Sequence, residues 1–365
     1  MTRPLRVLTI GPAPAGPDSR GGMASVMTLL AEHPADDVEI RVVPTFVDGS
    51  VLRRLWVGVR GMLFSSWLVL VGRVDVLHVH LAHGGSVVRK SLPLTVARLR
   101  GVATVVHAHS YDFTGWLDGL PSVAQRVVRR ALAADRWIVL GSSHVEAFAP
   151  RLQMPVDRVV VLHNPAVLPG FSGPLREHDP LDPVVIVSLG RLGHRKGSFE
   201  VVAAAATLPE DVRARVRIVL AGDGDRDDVE NAVAEAGVGD VVEIRSWLDP
   251  AQRDALMNEA EVFILPSHDE GLPMALLESM AAGLAPIVSP VGGIPNVVTD
   301  GQEGLIVQPG DVEGIAKAIR RVVDDPDLRL RLRETARERS RDFGVTAWYE
   351  DLASLWREIS DRPRR

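Results

Sequence analysis

Residues 266–283 read PSHDEGLPMALLESMAAG, and the rest of the chain is read outward from them. The preceding run at 262–265, Val-Phe-Ile-Leu, has the length and bulk of a buried strand. It gives way to a polar turn, Ser267-His268-Asp269-Glu270-Gly271, and a helix is expected to begin near Pro273, where a missing amide costs least. Glu270 then belongs to the turn and Glu278 to the helix, about two turns down. Between them lie the first helical amides, which have no partner within the helix and carry the positive end of its dipole, a setting suited to phosphate. A carboxylate accepts two hydrogen bonds side by side, so one glutamate suits the vicinal hydroxyls of a hexose and the other those of a ribose. Taken alone, Glu270 reads first as a solvated turn residue and Glu278 as an ordinary helix-surface residue.

The surroundings point further. Gly271, Met280-Ala-Ala-Gly283, the apolar pair Ile287-Val288 and Gly292-Gly293 accompany two glutamates separated by seven residues. Together they resemble the retaining glycosyltransferases of family 4. The resemblance spans nearly the whole chain and is densest at 184–311. It implies the α/β fold called GT-B, two Rossmann-like domains with parallel sheets facing across a cleft, the donor held mostly by the second. It also implies an enzyme that moves a sugar from a nucleotide diphosphate sugar to a glycan or glycolipid hydroxyl with retained configuration, in cell-surface polysaccharide or glycoconjugate biosynthesis.

Composition agrees with two globular domains. At 365 residues the chain exceeds the usual range of one core, and 46% of residues are hydrophobic against 24% charged. The net charge of −6 argues against nucleic acid as the main partner, so any anion site must be local. There is no cysteine, which excludes disulfides and thiolate metal ligands. The first residues run straight into a strand pattern rather than a cleavable signal, and no apolar run reaches the ~20 residues needed to span a bilayer. A cytoplasmic protein is expected, with the inner face of the plasma membrane as a place of peripheral association.

The first domain is expected at 1–168. Residues 5–10, 39–43, 74–80, 103–109, 137–140 and 159–162 read as strands, with helices between. Gly11-Pro-Ala-Pro-Ala-Gly16 and Arg20-Gly21-Gly22 form the first strand-to-helix turn; the spacing lacks the full dinucleotide fingerprint. Residues 51–73, VLRRLWVGVRGMLFSSWLVLVGR, mix Trp56, Phe64 and Trp67 with Arg53, Arg54, Arg60 and Arg73 and contain no acidic residue. Such a helix either faces the core with solvated arginines or lies on an anionic membrane surface. His78 and His80 share one face of their strand, as do His107 and His109. Without carboxylate partners or helical ligand spacing, they are expected to be satisfied strand-end residues and not metal ligands.

Residues 169–183 turn to proline, glycine and charge and read as a linker. The second domain, 184–344, restarts the strand rhythm, and its first turn, Gly190-Arg-Leu-Gly-His-Arg-Lys196-Gly197, resembles the family's basic phosphate loop. The remainder, 345–365, is expected to cross back to the first domain, with its last residues frayed.

Carried onto this sequence, the resemblance implies that His109, Arg191, Lys196 and Glu270 take part in the reaction. Gly22, Arg191, Lys196, Glu270, Gly271, Leu272, Met274 and Glu278 would bind the donor. Arg191 and Lys196 would neutralise the leaving diphosphate, Glu270 would bind the donor sugar and Glu278 the ribose. No Asp-x-Asp motif lies near the donor turn, so no metal and no cofactor besides the nucleotide sugar is expected. Two other readings keep the same fold: a sugar-nucleotide epimerase or hydrolase, and a non-catalytic sugar-nucleotide-binding subunit.

Overall fold

The computed structural model describes residues 3–32, 37–109, 112–166, 174–176, 179 and 182–361. The chain forms two compact units, residues 1–164 with 345–365, and residues 165–344.

In the first unit the order is β1 (Leu5–Pro12), α1 (Gly22–Glu32), β2 (Val38–Phe46), α2 (Val51–Leu70), β3 (Val76–Leu81), α3 (Gly85–Leu99), β4 (Ala103–Ala108), α4 (Phe113–Asp118), α5 (Ser122–Ala131), β5 (Arg136–Val139), α6 (Ser142–Leu152) and β6 (Val159–Val161). The strands form one sheet ordered β2-β1-β3-β4-β5-β6, with every pairing parallel. β3 is buried at all six positions, as expected for a parallel sheet covered on both faces. Trp137 on β5, Phe113 and Phe148 cluster in the core of this unit, their ring centroids 5.4–6.0 Å apart.

The second unit runs β7 (Val184–Leu189), α7 (Ser198–Thr207), α8 (Glu210–Arg213), β8 (Val216–Ala221), α9 (Arg226–Ala236), β9 (Val242–Arg245), α10 (Pro250–Glu259), β10 (Val262–Leu265), α11 (Met274–Ala282), β11 (Ala285–Val288), β12 (Leu305–Ile306), α12 (Val312–Asp324) and α13 (Pro326–Ser340). Its sheet, again all parallel, is ordered β12-β11-β10-β7-β8-β9. The final helix, α14 (Val345–Ser360), belongs to the first unit. There Trp356 is fully buried, and Glu358 and Arg357 pair with Arg136 and Asp37.

Pro165 and Ala166, expected in the first domain, group with the second unit. The physical tie is at Ala166, whose N–H donates to Phe343 O at 2.6 Å and thereby joins the start of this unit to its end. Most of the expected linker, and the expected frayed end at 363–365, lie outside the described residues.

Each sheet has one place where the chain order reverses. In the second unit the chain runs outward from β7 to β8 and β9, then returns to place β10 on the other side of β7. In the first it runs from β1 to β2 and returns to β3. Ligands of such folds gather in the crevice beyond the carboxyl ends of the two strands at the reversal. In the second unit those ends feed the loop 190–197 and the turn 266–273.

Candidate donor site

The loop after β7 and the turn after β10 meet because two glycines permit it. Gly197 has φ +73, and a Cβ there would stand 2.3 Å from Pro266 O, so any side chain would push the loop off the strand end. Gly292 has φ +59, and its Cβ would stand 2.0 Å from Glu270 O. Gly293 N–H donates to Gly271 O at 2.6 Å, and His268 N–H donates to Arg195 O at 2.9 Å, tying both flanks of the turn in place.

Within this frame Lys196 Nζ lies 2.5 Å from Glu270 Oε1, and Ser267 Oγ donates to the same oxygen at 2.9 Å. Arg195 Nη1 is 3.4 Å from it and also donates to Asp269 O at 3.0 Å. Glu270 is 6% exposed, so it is not the solvated turn residue that its local sequence permits. Burial pulls the Lys196 pKa below its ordinary value even though Glu270 pulls the other way. All three contacts converge on Oε1.

Glu278 stands just over one turn into α11, nearer its start than the spacing suggested, and is also 6% exposed. Its nearest cation is Arg253, whose Nη1 is 3.3 Å from Oε2. α10 holds Arg253 there through a capping box in which Asp249 accepts from Gln252 N–H and Gln252 accepts from Asp249 N–H. Burial outweighs that partner and raises the Glu278 pKa to about 7, with Asp254 adding to the rise. α11 begins after Pro273, which supplies neither an amide nor a side-chain cap, and its first turn has no acidic residue.

The other expected residues fall in three places. Arg191 is on the same loop but points to solvent, with its Nε 3.6 Å from Asp223 and its side chain 69% exposed; it is not brought to Glu270. Leu272 and Met274 are buried at 3% and 6% exposure, so their side chains serve the core and only their backbone can face a ligand. Gly22 and His109 belong to the first unit. Gly22 opens α1 behind Gly21, whose φ is +96, and His109 follows β4 with Nε2 2.8 Å from His80 Nδ1. Burial keeps the His109 ring neutral, its pKa about 3.

The expectation of satisfied strand-end histidines holds only for His109. Both ring nitrogens of His78 and of His107, and Nε2 of His80, are buried without a hydrogen-bond partner among the described residues. Adjacent parallel strands in register, His80 beside His107, stack rings where hydrogen-bond partners would otherwise stand. One ring nitrogen from each of His78, His80 and His107 lies within 4.8 Å of the others, so this buried trio is of a size that could hold a metal ion, which the expectation of strand-end histidines did not foresee.

Ser267, Arg195 and Arg253 were not singled out in the sequence. Ser267 and Arg195 were within reach, being neighbours of the quoted turn and loop. Arg253 carries no local signal, because only the packing of α10 against α11 brings it to Glu278.

Residues 176–339 match the family model described as glycosyl transferases group 1. The alpha-D-kanosaminyltransferase of Streptomyces kanamyceticus is 29% identical over 77% of this chain and 77% of its own length. The lipopolysaccharide core biosynthesis glycosyltransferase LpsE of Rhizobium meliloti is 36% identical over 48% of this chain and 51% of its own. HepE of Anabaena, solved in complex with UDP-glucose, shares the fold with a TM-score of 0.73 and 15% identity, over 97% of this chain and all of that one.

Proposed function

We propose that the second unit, whose residues fall largely within the 176–339 match to the group 1 glycosyl transferases, holds a nucleotide diphosphate sugar whose sugar it passes, with retained configuration, to a glycan or glycolipid hydroxyl. The observation that carries the proposal is the convergence of Lys196, Ser267 and Arg195 on one oxygen of a buried glutamate, at the sheet's reversal point and beside an uncapped helix start. With donor bound, Lys196 turns from Glu270 to the diphosphate, and Glu270 Oε2 accepts from sugar hydroxyls. Glu278 accepts from the ribose hydroxyls.

As the bond from the anomeric carbon to the diphosphate oxygen breaks, negative charge grows on the leaving phosphate. Lys196 and the amides at the start of α11 stabilise that charge more in the transition state than in the ground state, and Arg191, leaving Asp223, swings in from solvent as a second cation. The acceptor hydroxyl attacks from the face the diphosphate leaves, and its proton passes to a phosphate oxygen. The protein's own cations do this work, so no divalent ion is part of the scheme.

The acceptor is proposed to sit at an anionic membrane surface, met by α2. That helix turns mainly small residues inward: Gly58, Gly61 and Ser65 are buried, with Leu68 and Val69 near its end, and a Cβ on Gly61 would stand 2.2 Å from Pro44 O. Most of its large residues face out, with Leu52 80%, Trp56 61% and Trp67 53% exposed, and Leu55, Val59, Leu63 and Leu70 along the same stripe. Val88, Leu92 and Leu99 on α3 extend the apolar surface. Arg54 and Arg60 lie over Phe46 and Trp56, and Arg73 follows the helix; Arg53 is already paired with Asp18. Cations beside exposed aromatics suit an anionic interface. No described helix is long and apolar enough to cross a membrane.

Calorimetry with a nucleotide and its nucleotide sugar tests the donor site. Glu278→Ala weakens both ligands, whereas Glu270→Ala spares the nucleotide and weakens the nucleotide sugar; equal losses in both variants contradict the division of labour.

A further inference from the structure

The first unit holds a cluster of positive groups that the donor site does not use. The chain contains 41 lysines and arginines, of which Lys90, Lys196 and Lys317 are the only lysines. Lys317 is exposed, and Lys196 has Glu270 as counter-ion. Lys90 is 1% exposed, and its only hydrogen-bond partner among the described residues is Ser86 Oγ at 3.2 Å. A buried ammonium with no carboxylate is among the costlier arrangements a core can hold.

Its neighbours increase that cost. Lys90 reaches back four residues to Ser86, and Arg89 does the same to Gly85, where its Nη1 stands 3.2 Å from the place a Cβ would take. Both cations therefore fold over the first turn of α3, the end whose dipole is already positive and which prefers acidic residues. That turn contains no acidic residue, and Gly84 provides no side-chain cap. Among the described residues the buried Arg89 Nε has no hydrogen-bond partner, and the one aromatic contact of the guanidinium is with Phe46, 5.5 Å from its centroid. Nε2 of His80, close enough for Lys90 to hold its ring further toward neutrality, is likewise buried and unpartnered.

The position has meaning in the fold. β3 ends at Leu81 and leads directly to this turn, on the β1–β3 reversal of the first sheet. Gly11 at the end of β1 completes it, since a Cβ there would approach His80 Cβ to 3.1 Å.

We propose that Arg89 and Lys90, with the start of α3, form a second anion site that binds the phosphate or diphosphate group of a phosphate-linked acceptor. Its role in transfer rests on the glycosyltransferase reading; its existence does not. An anion supplies the counter-ion that both cations lack. Burial and the charge of Arg89 lower the Lys90 pKa to about 7, and an anion would restore the protonated form.

The test uses inorganic pyrophosphate, measured by calorimetry on the full chain in an Arg191→Ala/Lys196→Ala background that removes the donor-site cations. Binding that persists in this background and weakens at least about tenfold on adding Arg89→Gln or Lys90→Met is the expected result. Absence of binding in the background, or binding unchanged by both substitutions, overturns the proposal. Arg89→Gln alters a half-exposed side chain and decides the question should Lys90→Met fail to fold. Vesicles containing phosphatidic acid or phosphatidylserine at equal surface charge separate the sources. Preference for the terminal phosphate, lost in Lys90→Met, assigns a lipid-borne group, and equal binding alongside a positive pyrophosphate result assigns a free one. Nucleotide affinity on unsubstituted protein reports the donor site separately, so its failure counts against that reading alone.

Discussion

Lys196 and Glu270 are a buried pair with one cation for two anionic tasks, and the consequences are specific. Lys196→Ala should lower turnover by at least ~100-fold, the scale of losing one charge partner of the transition state. Arg191→Ala, acting from an exposed position, should cost less; a steady-state comparison of the two variants checks the order, and an equal or greater loss for Arg191 contradicts it. Glu278 has a folded pKa raised to about 7 from an ordinary 4.5. Between those values the folded chain holds a proton that the unfolded chain has lost, so this group's contribution to stability falls as pH rises through that window. Ribose hydroxyls donate to the ionised carboxylate. Nucleotide binding near pH 6 should therefore release a proton that is no longer released well above pH 7. Calorimetry in two buffers of different ionisation heat measures it, and Glu278→Gln should abolish the difference; a buffer-independent heat at pH 6 would refute the assignment. Both glutamates could be picked out in the sequence because their spacing and neighbours form a local pattern. Their burial could not, since it is set by Gly197, Gly292 and α10, which are distant along the chain.

At the scale of the element, α2 shows where sequence patterning stops. Its apolar stripe is as compatible with a core-facing helix as with a surface one, and the structure decides through Gly58, Gly61 and Ser65, which let the backbone approach β2 and send the bulk outward. Helix propensity alone would make Gly61→Ala stabilising by about 1 kcal/mol. A Cβ 2.2 Å from Pro44 O reverses the sign, and overpacking of this kind costs about 1–3 kcal/mol. Thermal melts should show a lower Tm for Gly61→Ala; an unchanged or higher Tm would mean α2 does not pack as described. On the outward face, arginines near an anionic surface contribute about 1 kcal/mol each. Replacing Arg54, Arg60 and Arg73 with Glu should abolish co-sedimentation with anionic vesicles at low salt, without altering nucleotide affinity. Retained sedimentation would remove the electrostatic part of the proposal. Most strand positions were legible, because the inner strands, buried on both faces, read as continuous apolar runs. Their ends shifted by a residue or more, for instance to 285–288 from an expected pair at 287–288, since Ala285 and Pro286 carry little strand signal of their own.

For the whole molecule, two parallel sheets each with its own reversal point account for why the chemistry-bearing loops are where they are. The second unit's site was largely legible because its residues fall in two short stretches. The first unit's contribution was not, since His80, Ser86, Arg89 and Lys90 acquire meaning only from burial and the absence of a counter-ion. Chelation separates protein cations from a metal as the stabiliser of the leaving group: transfer should persist in EDTA, and loss restored by magnesium or manganese would contradict that part of the account. The most direct test of the central claim follows nucleotide release from a panel of nucleotide sugars, with and without membrane extract as acceptor, for the unsubstituted chain and Lys196→Ala. Release from one donor, dependent on the extract, accompanied by labelled sugar in the extract and lost in the variant, is the predicted result. Release without extract, or transfer undiminished in Lys196→Ala, would contradict it.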